Sequence, residues 1–390
     1  MNKLLATAAA IIACTTSVQA ADPLKIGVLM PTTGVFAVLG QERIKGMRYA
    51  IEEAGGEVAG RKVELLVEDT QGAPATGLTK ARKLVTSDNV DAIAGIISSA
   101  VALAVAPYFN SVKMPLVISN ATTDELSGAK CSPFIFRVSF SSSQMSEPAG
   151  DFMGKKGVKS AFLLVSDYVA PREHIAAVKR AYLKHGGKIA GEAYPPFAKT
   201  QDYGPYISQA RAASPDAVFP IFYGSEAIAF MKQWHSYGLQ NTLPIYGSSG
   251  LTAPVLLDAQ GDAALNTLTS SNYVPEIDTP ENNAFKANWR KRFNADPEEF
   301  AIAGYDSVRF ILEAVKARNG DTTNREAFAA AIGKVNYTSP RGPLAIGKTN
   351  TVTQNIYITK TVKRGDKVGF EIVDTYRNFA DPVEGCTLQK

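Results

Sequence analysis

An α/β fold built as two doubly wound lobes is predicted by three observations. Strand and helix signals alternate from residue 24 to about residue 247, which implies parallel sheets with helices on both faces. The alternation restarts after the polar stretch Ser139-Phe140-Ser141-Ser142-Ser143. Roughly 370 residues follow the first twenty, more than a single hydrophobic core holds comfortably.

The elements follow in order. A strand over 25–30 carries the buried run Ile26, Val28 and Leu29. The turn Thr32-Thr33-Gly34 leads into a helix through Ile44, Met47, Tyr49 and Ile51, stopped by Gly55-Gly56. Val63, Leu65 and Val67 alternate as a strand, and Pro74 opens a helix reaching about Val85. A strand over 90–97, a helix over 100–112 and strands over 115–118 and 134–138 complete the first series. After the polar crossover, strands over 161–165, 188–193, 217–222 and 243–246 alternate with helices over 174–183, 206–213 and 227–237. Helices over 283–293 and 299–317 carry apolar residues at helical spacing, including Phe300, Tyr305, Val308 and Ile311. Pro340-Arg341-Gly342-Pro343 breaks the pattern. Segments 355–362 and 368–374 then read as a hairpin around Arg364-Gly365-Asp366.

Lys3, an apolar run over 4–13 and Val18-Gln19-Ala20 form a cleavable export signal over 1–20. The run is too short to span a bilayer. A rival reading takes Ile11-Ile12-Ala13-Cys14 as a lipobox that tethers the chain through Cys14, but a good conventional cleavage site follows it. The formal net charge of +4 drops to about +3 without Lys3. Its basic residues are dispersed, which gives no nucleic-acid footprint. Cys131 and Cys386 are the other cysteines. In an oxidising compartment they suggest one disulfide, with two buried free thiols as the alternative.

Catalytic and metal chemistry find no footing. Residues 342–349 fit the phosphate-loop pattern G-x-x-x-x-G-K-[ST], but no strand leads in and no helix follows. His174, His185 and His235 lack metal-ligand spacing and read as surface or capping residues. Gly247-Ser248-Ser249-Gly250 misses the nucleophile elbow by one position. Neither metal nor cofactor is expected.

Two hydroxyl-rich turns carry the functional signal. Ser98-Ser99-Ala100 and Ser119-Asn120-Ala121-Thr122-Thr123 lie where neighbouring parallel strands end. Ligands bind beyond such ends, and hydroxyls at a helix start grip anions. A lone serine there is usually an N-cap; two such turns facing one crevice suggest a site for a small acid. Phe36, Tyr168, Phe222 and Tyr223 sit near other strand ends as candidate pocket walls, or as core.

The run Lys25-Ile26-Gly27-Val28-Leu29-Met30-Pro31-Thr32-Thr33-Gly34, then Gly40 and Gly55-Gly56, resembles the opening of the branched-chain amino-acid type of ABC-transporter solute-binding protein. Ile97-Ser98-Ser99, Val117-Ile118-Ser119-Asn120-Ala121-Thr122-Thr123 and Ser339-Pro340-Arg341-Gly342 extend the resemblance over essentially the whole mature chain. It implies a type I periplasmic-binding fold, with two lobes joined by three crossings and closing on the ligand by a hinge. Lobe one would comprise 22–139 and 273–347, lobe two 140–272 and 348–390. A Cys131–Cys386 bridge would tie the tail back near the hinge.

The resemblance also implies site residues. Ser99, or Ser98 in a shifted register, would hold a ligand carboxylate. The next strand end would add the Ala121 carbonyl and the Thr123 hydroxyl, with Thr122 between them. Tyr223 or Phe222 would close from lobe two, and Leu39 and Phe36 would line the side-chain pocket. One position departs: where amino-acid binders place a glutamate for the ammonium, Ser249 stands nearest. A buried ammonium without a counter-charge costs several kcal/mol. Glu226 and Asp167 are the nearby substitutes, and Arg172 is expected at the surface. Ser166-Asp167-Tyr168 with Trp234 resembles the subgroup that binds aromatic carboxylates. The expectation is a monomeric periplasmic receptor that delivers a benzoate- or hydroxycinnamate-type acid to an inner-membrane ABC permease. The alternatives are an amino-acid receptor and a ligand-sensing subunit of a membrane signalling receptor.

Overall fold

A computed structural model describes residues 22–388; the leader over 1–20, with Cys14, lies outside the described residues. The chain runs β1 (Leu24–Met30), α1 (Ala37–Glu53), β2 (Glu57–Val58), β3 (Arg61–Asp69), α2 (Pro74–Thr86), β4 (Ala92–Gly95), α3 (Ser99–Ser111), β5 (Leu116–Ile118) and β6 (Ile135–Arg137). Next come α4 (Ser142–Lys155), β7 (Ser160–Val165), α5 (Val169–Leu183), β8 (Lys188–Ala193), α6 (Gly204–Ala212), β9 (Ala217–Ile221), α7 (Ser225–Ser236), β10 (Tyr246–Ser248), α8 (Pro254–Gln260) and β11 (Leu268–Ser271). It ends with α9 (Pro280–Phe293), α10 (Glu299–Ala317), α11 (Arg325–Ile332), β12 (Asn336–Ser339), β13 (Gly342–Ile346), β14 (Val352–Arg364) and β15 (Lys367–Phe379).

The first sheet has the order β2-β3-β1-β4-β5-β6, parallel apart from the β2–β3 ribbon. β1 lies inside it, with Ile26 opposite Leu65 on one side and Ala92 on the other. Helices cover both faces, so β1 is apolar and buried from Ile26 to Met30 rather than alternating, with Lys25 at its start the exception. Ile26, Val28 and Met30 join the core of Met47, Tyr305 and Val308, while Leu29 joins Leu84, Ile93 and Val101.

The second layered unit holds β8-β7-β9 in parallel. A bridge from Val218 to Ile245 leads on to β10 and β11, and β14 and β15 add antiparallel. Among the described residues no helix is long and apolar enough to cross a membrane.

Three stretches of chain meet beside the cleft: 138–144 between β6 and α4, Asn272 after β11, and 341–354 from the start of β13 into β14, where β12 and β13 join the sheet of β10, β11 and β14. One buried polar network joins the three stretches. Arg341 pairs with Asp306 at 2.6 Å, both side chains at most 1% exposed. It also donates to the Val138 carbonyl and to the Gln354 side chain. Gln354 accepts from Asn272 at 3.3 Å and donates to Gln144 Oε1 at 2.7 Å and to the Ser139 carbonyl. Cys131 and Cys386 form a disulfide, with Cα atoms 5.6 Å apart.

Helices α1 and α10 meet backbone to backbone. A Cβ on Gly46 would lie 1.9 Å from the Ala301 carbonyl oxygen, and one on Gly304 would lie 2.1 Å from that of Arg43. Only glycine permits this approach, which brings the start of α10 against α1.

Several elements differ from the sequence reading. The polar crossover at 139–143 is the start of a helix, α4, capped by the Ser141 hydroxyl, which accepts from Gln144 N–H. Its serines, Pro148 and two glycines mask the helical period, and it is buried on nearly every side. The phosphate-loop look-alike forms β13 and a turn into β14, with no helix after it. The hairpin strands reach 13 residues each. His174 is wholly buried, not at the surface, and its Nδ1 lies 2.6 Å from Ser146 Oγ.

Candidate functional site

The cleft between the units is walled by the carboxyl ends of β4 and β5 on one side and of β7, β9 and β10 on the other, where α/β sheets place ligands. The first wall begins with strain. Ile96 has φ +66°, a conformation that β-branched residues avoid and that costs about 1–3 kcal/mol. Two bonds hold it: its N–H donates to the Leu29 carbonyl at 2.7 Å, and its carbonyl accepts the Ala121 N–H at 3.0 Å. The outcome is the turn Ile97-Ser98-Ser99 at the start of α3.

The two hydroxyl turns are stitched together. Ser99 Oγ accepts from the Thr123 N–H at 3.2 Å, and Asn120 Nδ2 donates to the Ile97 carbonyl at 3.3 Å. Ser98 is also the N-cap of α3, accepting from Val101 N–H at 3.4 Å. Both serine hydroxyls thus accept within the fold and keep a proton for a guest. The first-turn N–H groups of α3 point the same way.

Eight of the residues singled out from the sequence line this cavity: Phe36, Leu39, Ser98, Ser99, Thr122, Tyr168, Tyr223 and Ser249. Three do not. Phe222 is fully buried in the opposite direction, packed on Tyr203 and Phe230 with ring centroids 4.9 and 4.8 Å away. Ala121 is enclosed in the core under α3. The Thr123 hydroxyl donates to Glu173 Oε1 at 2.7 Å, and Glu173 Oε2 accepts from Asp124 N–H at 3.0 Å. Thr123 therefore ties the two units together beside the cavity.

The substitute acids are elsewhere too. Glu226 is buried, accepting from Ser166 Oγ and Ala198 N–H at 2.8 Å each, and Asp167 pairs with Arg172 at 2.6 Å near the surface. Trp234 is buried against Phe230, away from the lining.

Other lining residues were not assigned a place in the pocket from the sequence: Ile97, Asn120, Phe140, Ala170, Ser248, Gly250, Glu299 and Phe300. Glu299 matters most. It opens α10, is 3% exposed, and accepts from Ser249 Oγ across the cleft at 2.9 Å. Its Oε2 has no hydrogen-bond partner within the protein. Burial pushes its carboxyl up to about 7, against the Ser249 hydrogen bond, the nearby Arg43 and Arg341 charges and the Ser271 hydroxyl close by. Burial likewise raises its neighbour Glu298, which caps α10 through Ala301 N–H at 3.1 Å. The Arg43 guanidinium lies 4.5 Å over the Phe300 ring and donates to Asn120 Oδ1. The local signal for Glu299 was two acids at a helix start, which ordinarily complement the helix dipole.

Aromatic side chains close the mouth. Phe36 stacks on Phe197 at 6.1 Å, and Tyr168 lies 4.3 Å from the same ring. The Tyr223 ring lies against Gly250, where a Cβ would come within 2.0 Å of it. Burial raises both tyrosine phenols, so they stay neutral donors at ordinary pH. The cavity offers hydroxyl and N–H donors, rings, and one acid.

A periplasmic binding protein family model matches residues 23–366. Leu/Ile/Val-binding protein homolog 6 of Brucella melitensis biotype 1 is 30% identical over 390 residues, covering 98% of this chain and 99% of that one. The chain is also similar to an ABC-transporter solute-binding protein of Rhodopseudomonas palustris BisB5 solved with 3,4-dihydroxybenzoic acid. That likeness has 31% identity and TM-score 0.87, over 93% of this chain and 99% of that one. An R. palustris solute-binding protein solved with 4-hydroxybenzoate shares 29% identity at TM-score 0.87, over 93% and 99% of the two chains.

Proposed function

The chain belongs to the periplasmic binding protein family, and we propose that it is the receptor of an ABC importer and captures a small aromatic acid between its lobes. The observation that carries this is a single cavity joining the hydroxyl-rich start of α3 to the rings of Phe36, Phe140, Tyr168, Tyr223 and Phe300. A carboxylate at Ser98 and Ser99 would receive charge-assisted hydrogen bonds, and the flat body would lie among the rings. Ser249 in place of a glutamate supports a ligand without an ammonium, and the hydroxybenzoate complexes of similar proteins support the aromatic body. Lobes spanning 22–139 with 273–347 and 140–272 with 348–390 would close over it and present the closed form to an inner-membrane permease.

Calorimetry with benzoate, 4-hydroxybenzoate, leucine and phenylalanine tests the reading. The two aromatic acids are expected to bind and the two amino acids to give no heat. Binding of leucine alone would overturn it. That second reading, an amino-acid receptor, draws on Glu299, whose carboxyl lines the cavity, and on relatives named for leucine, isoleucine and valine.

A further inference from the structure

The far wall of the cavity holds a buried acid whose free oxygen the proposed carboxylate grip does not use. Glu299 Oε1 is fixed by Ser249 at 2.9 Å, while Oε2 has no partner that meets hydrogen-bond geometry, although the Ser271 hydroxyl lies close to the carboxylate. The Ser248 hydroxyl also lacks a partner that meets hydrogen-bond geometry, and the Tyr223 phenol lies beside it. An acceptor and a donor, both buried and both lining one cavity, ask for a group that donates once and accepts once. A buried polar atom left unpaired is costly, so a guest that satisfies it is favoured over one that does not.

Resting on the aromatic-acid reading above, we propose that Glu299 is a specificity residue for a second polar group on the ligand. A ring hydroxyl donates to Oε2 and accepts from Ser248 or Tyr223, selecting hydroxylated aromatic acids over unsubstituted ones. An ammonium is the competing donor, but it uses only acceptors and needs the carboxylate fully ionised. Burial opposes that ionisation, and the adjacent acid Glu298 adds a like charge near the same guanidinium. A hydroxyl suits either protonation state. The Ser249–Glu299 bond joins α10 of one unit to the β10 end of the other, so this subsite is complete only when the cleft is closed.

The test is the ratio of dissociation constants for benzoate and 4-hydroxybenzoate by calorimetry, in the full chain, Glu299→Leu and Glu299→Gln. A general loss of affinity cancels in that ratio. The unaltered chain is expected to prefer 4-hydroxybenzoate by about tenfold or more. Glu299→Leu should bring the ratio to about one, and Glu299→Gln, which keeps an acceptor and the Ser249 contact, should retain part of the preference. If the leucine variant does not fold, a reduced ratio in the glutamine variant carries the proposal. An unchanged ratio in the folded variants overturns it and leaves the aromatic-acid reading standing. If neither acid binds the unaltered chain, the aromatic-acid reading itself falls. Phenylalanine binding more tightly than both acids, and lost in Glu299→Gln, would reassign the acid to an ammonium.

Discussion

The hinge and the cleft are both buried and both polar, yet they treat their polar atoms in opposite ways. At the hinge, Arg341 spends its guanidinium on Asp306, Gln354 and the Val138 carbonyl, and Gln144 donates to the Val352 and Phe379 carbonyls at 2.8 and 2.9 Å. In the cleft, Glu299 Oε2 and Ser248 Oγ have no partner that meets hydrogen-bond geometry, although the Ser271 and Tyr223 hydroxyls lie close to them. Buried polar groups are nearly always paired. A network paired within the protein, here in all but Asn272 Oδ1, fixes geometry; one left open on a cavity is completed by something else. The same residue types thus serve structure at one place and recognition at the other.

The comparison breaks most visibly at the hinge. Arg341→Met should leave Asp306 buried without a counter-charge, held only by the Tyr337 and Ser339 hydroxyls, and is expected to cost about 3–5 kcal/mol in urea unfolding. A loss below about 1 kcal/mol would show that the network does not hold the three stretches. In the cleft, Ser99→Ala should weaken binding of the aromatic acid by about 1.5–3 kcal/mol, a tenfold or greater rise in Kd. Its unfolding midpoint should move far less than that of Arg341→Met; the reverse ranking would erase the distinction between the two regions.

His174 sharpens the contrast, because its Nε2 is also unpartnered but lies away from the cleft. Burial holds its imidazole down to about 3, so the folded state stays neutral while the unfolded chain takes up a proton below about pH 6.5. Stability from this group is complete above that pH and is lost as pH falls toward 3, by about 1.4 kcal/mol per pH unit. Glu299, raised to about 7, has the opposite slope between its unfolded value and 7. Melting curves of His174→Gln against the unaltered chain should isolate the histidine: the variant is expected to lose less stability between pH 6 and 4. Parallel curves would mean that His174 does not titrate on unfolding.

The sheet frame was legible in the residues because buried parallel strands are continuous apolar runs, as in β1 and β4. The Ser98-Ser99 turn was legible because a strand end and a helix cap are local signals. Phe222 and Tyr223 could not be separated: adjacent residues leave a strand on opposite faces, and which face meets the cleft depends on how β9 sits. Glu299 was hidden for a longer-range reason. Glu298 and Glu299 read alike, yet one caps α10 and the other enters the cavity. Nothing near them in sequence decides that. Gly46, on a different helix, helps to do so.

The contact of Gly46 and Gly304 also bears on how this receptor can diverge. Where two helices touch through their backbones, no side chain is left to exchange, so the acid at the head of α10 sits on a wall that single substitutions cannot reposition gently. The facing loop, Ser248-Ser249-Gly250, carries only small side chains over the cavity, and its tight contact, Gly250 against the Tyr223 ring, is with a side chain and not with backbone. New ligand preferences in descendants of this chain should therefore arise by changing that loop, with the α10 side inherited as a fixed surface.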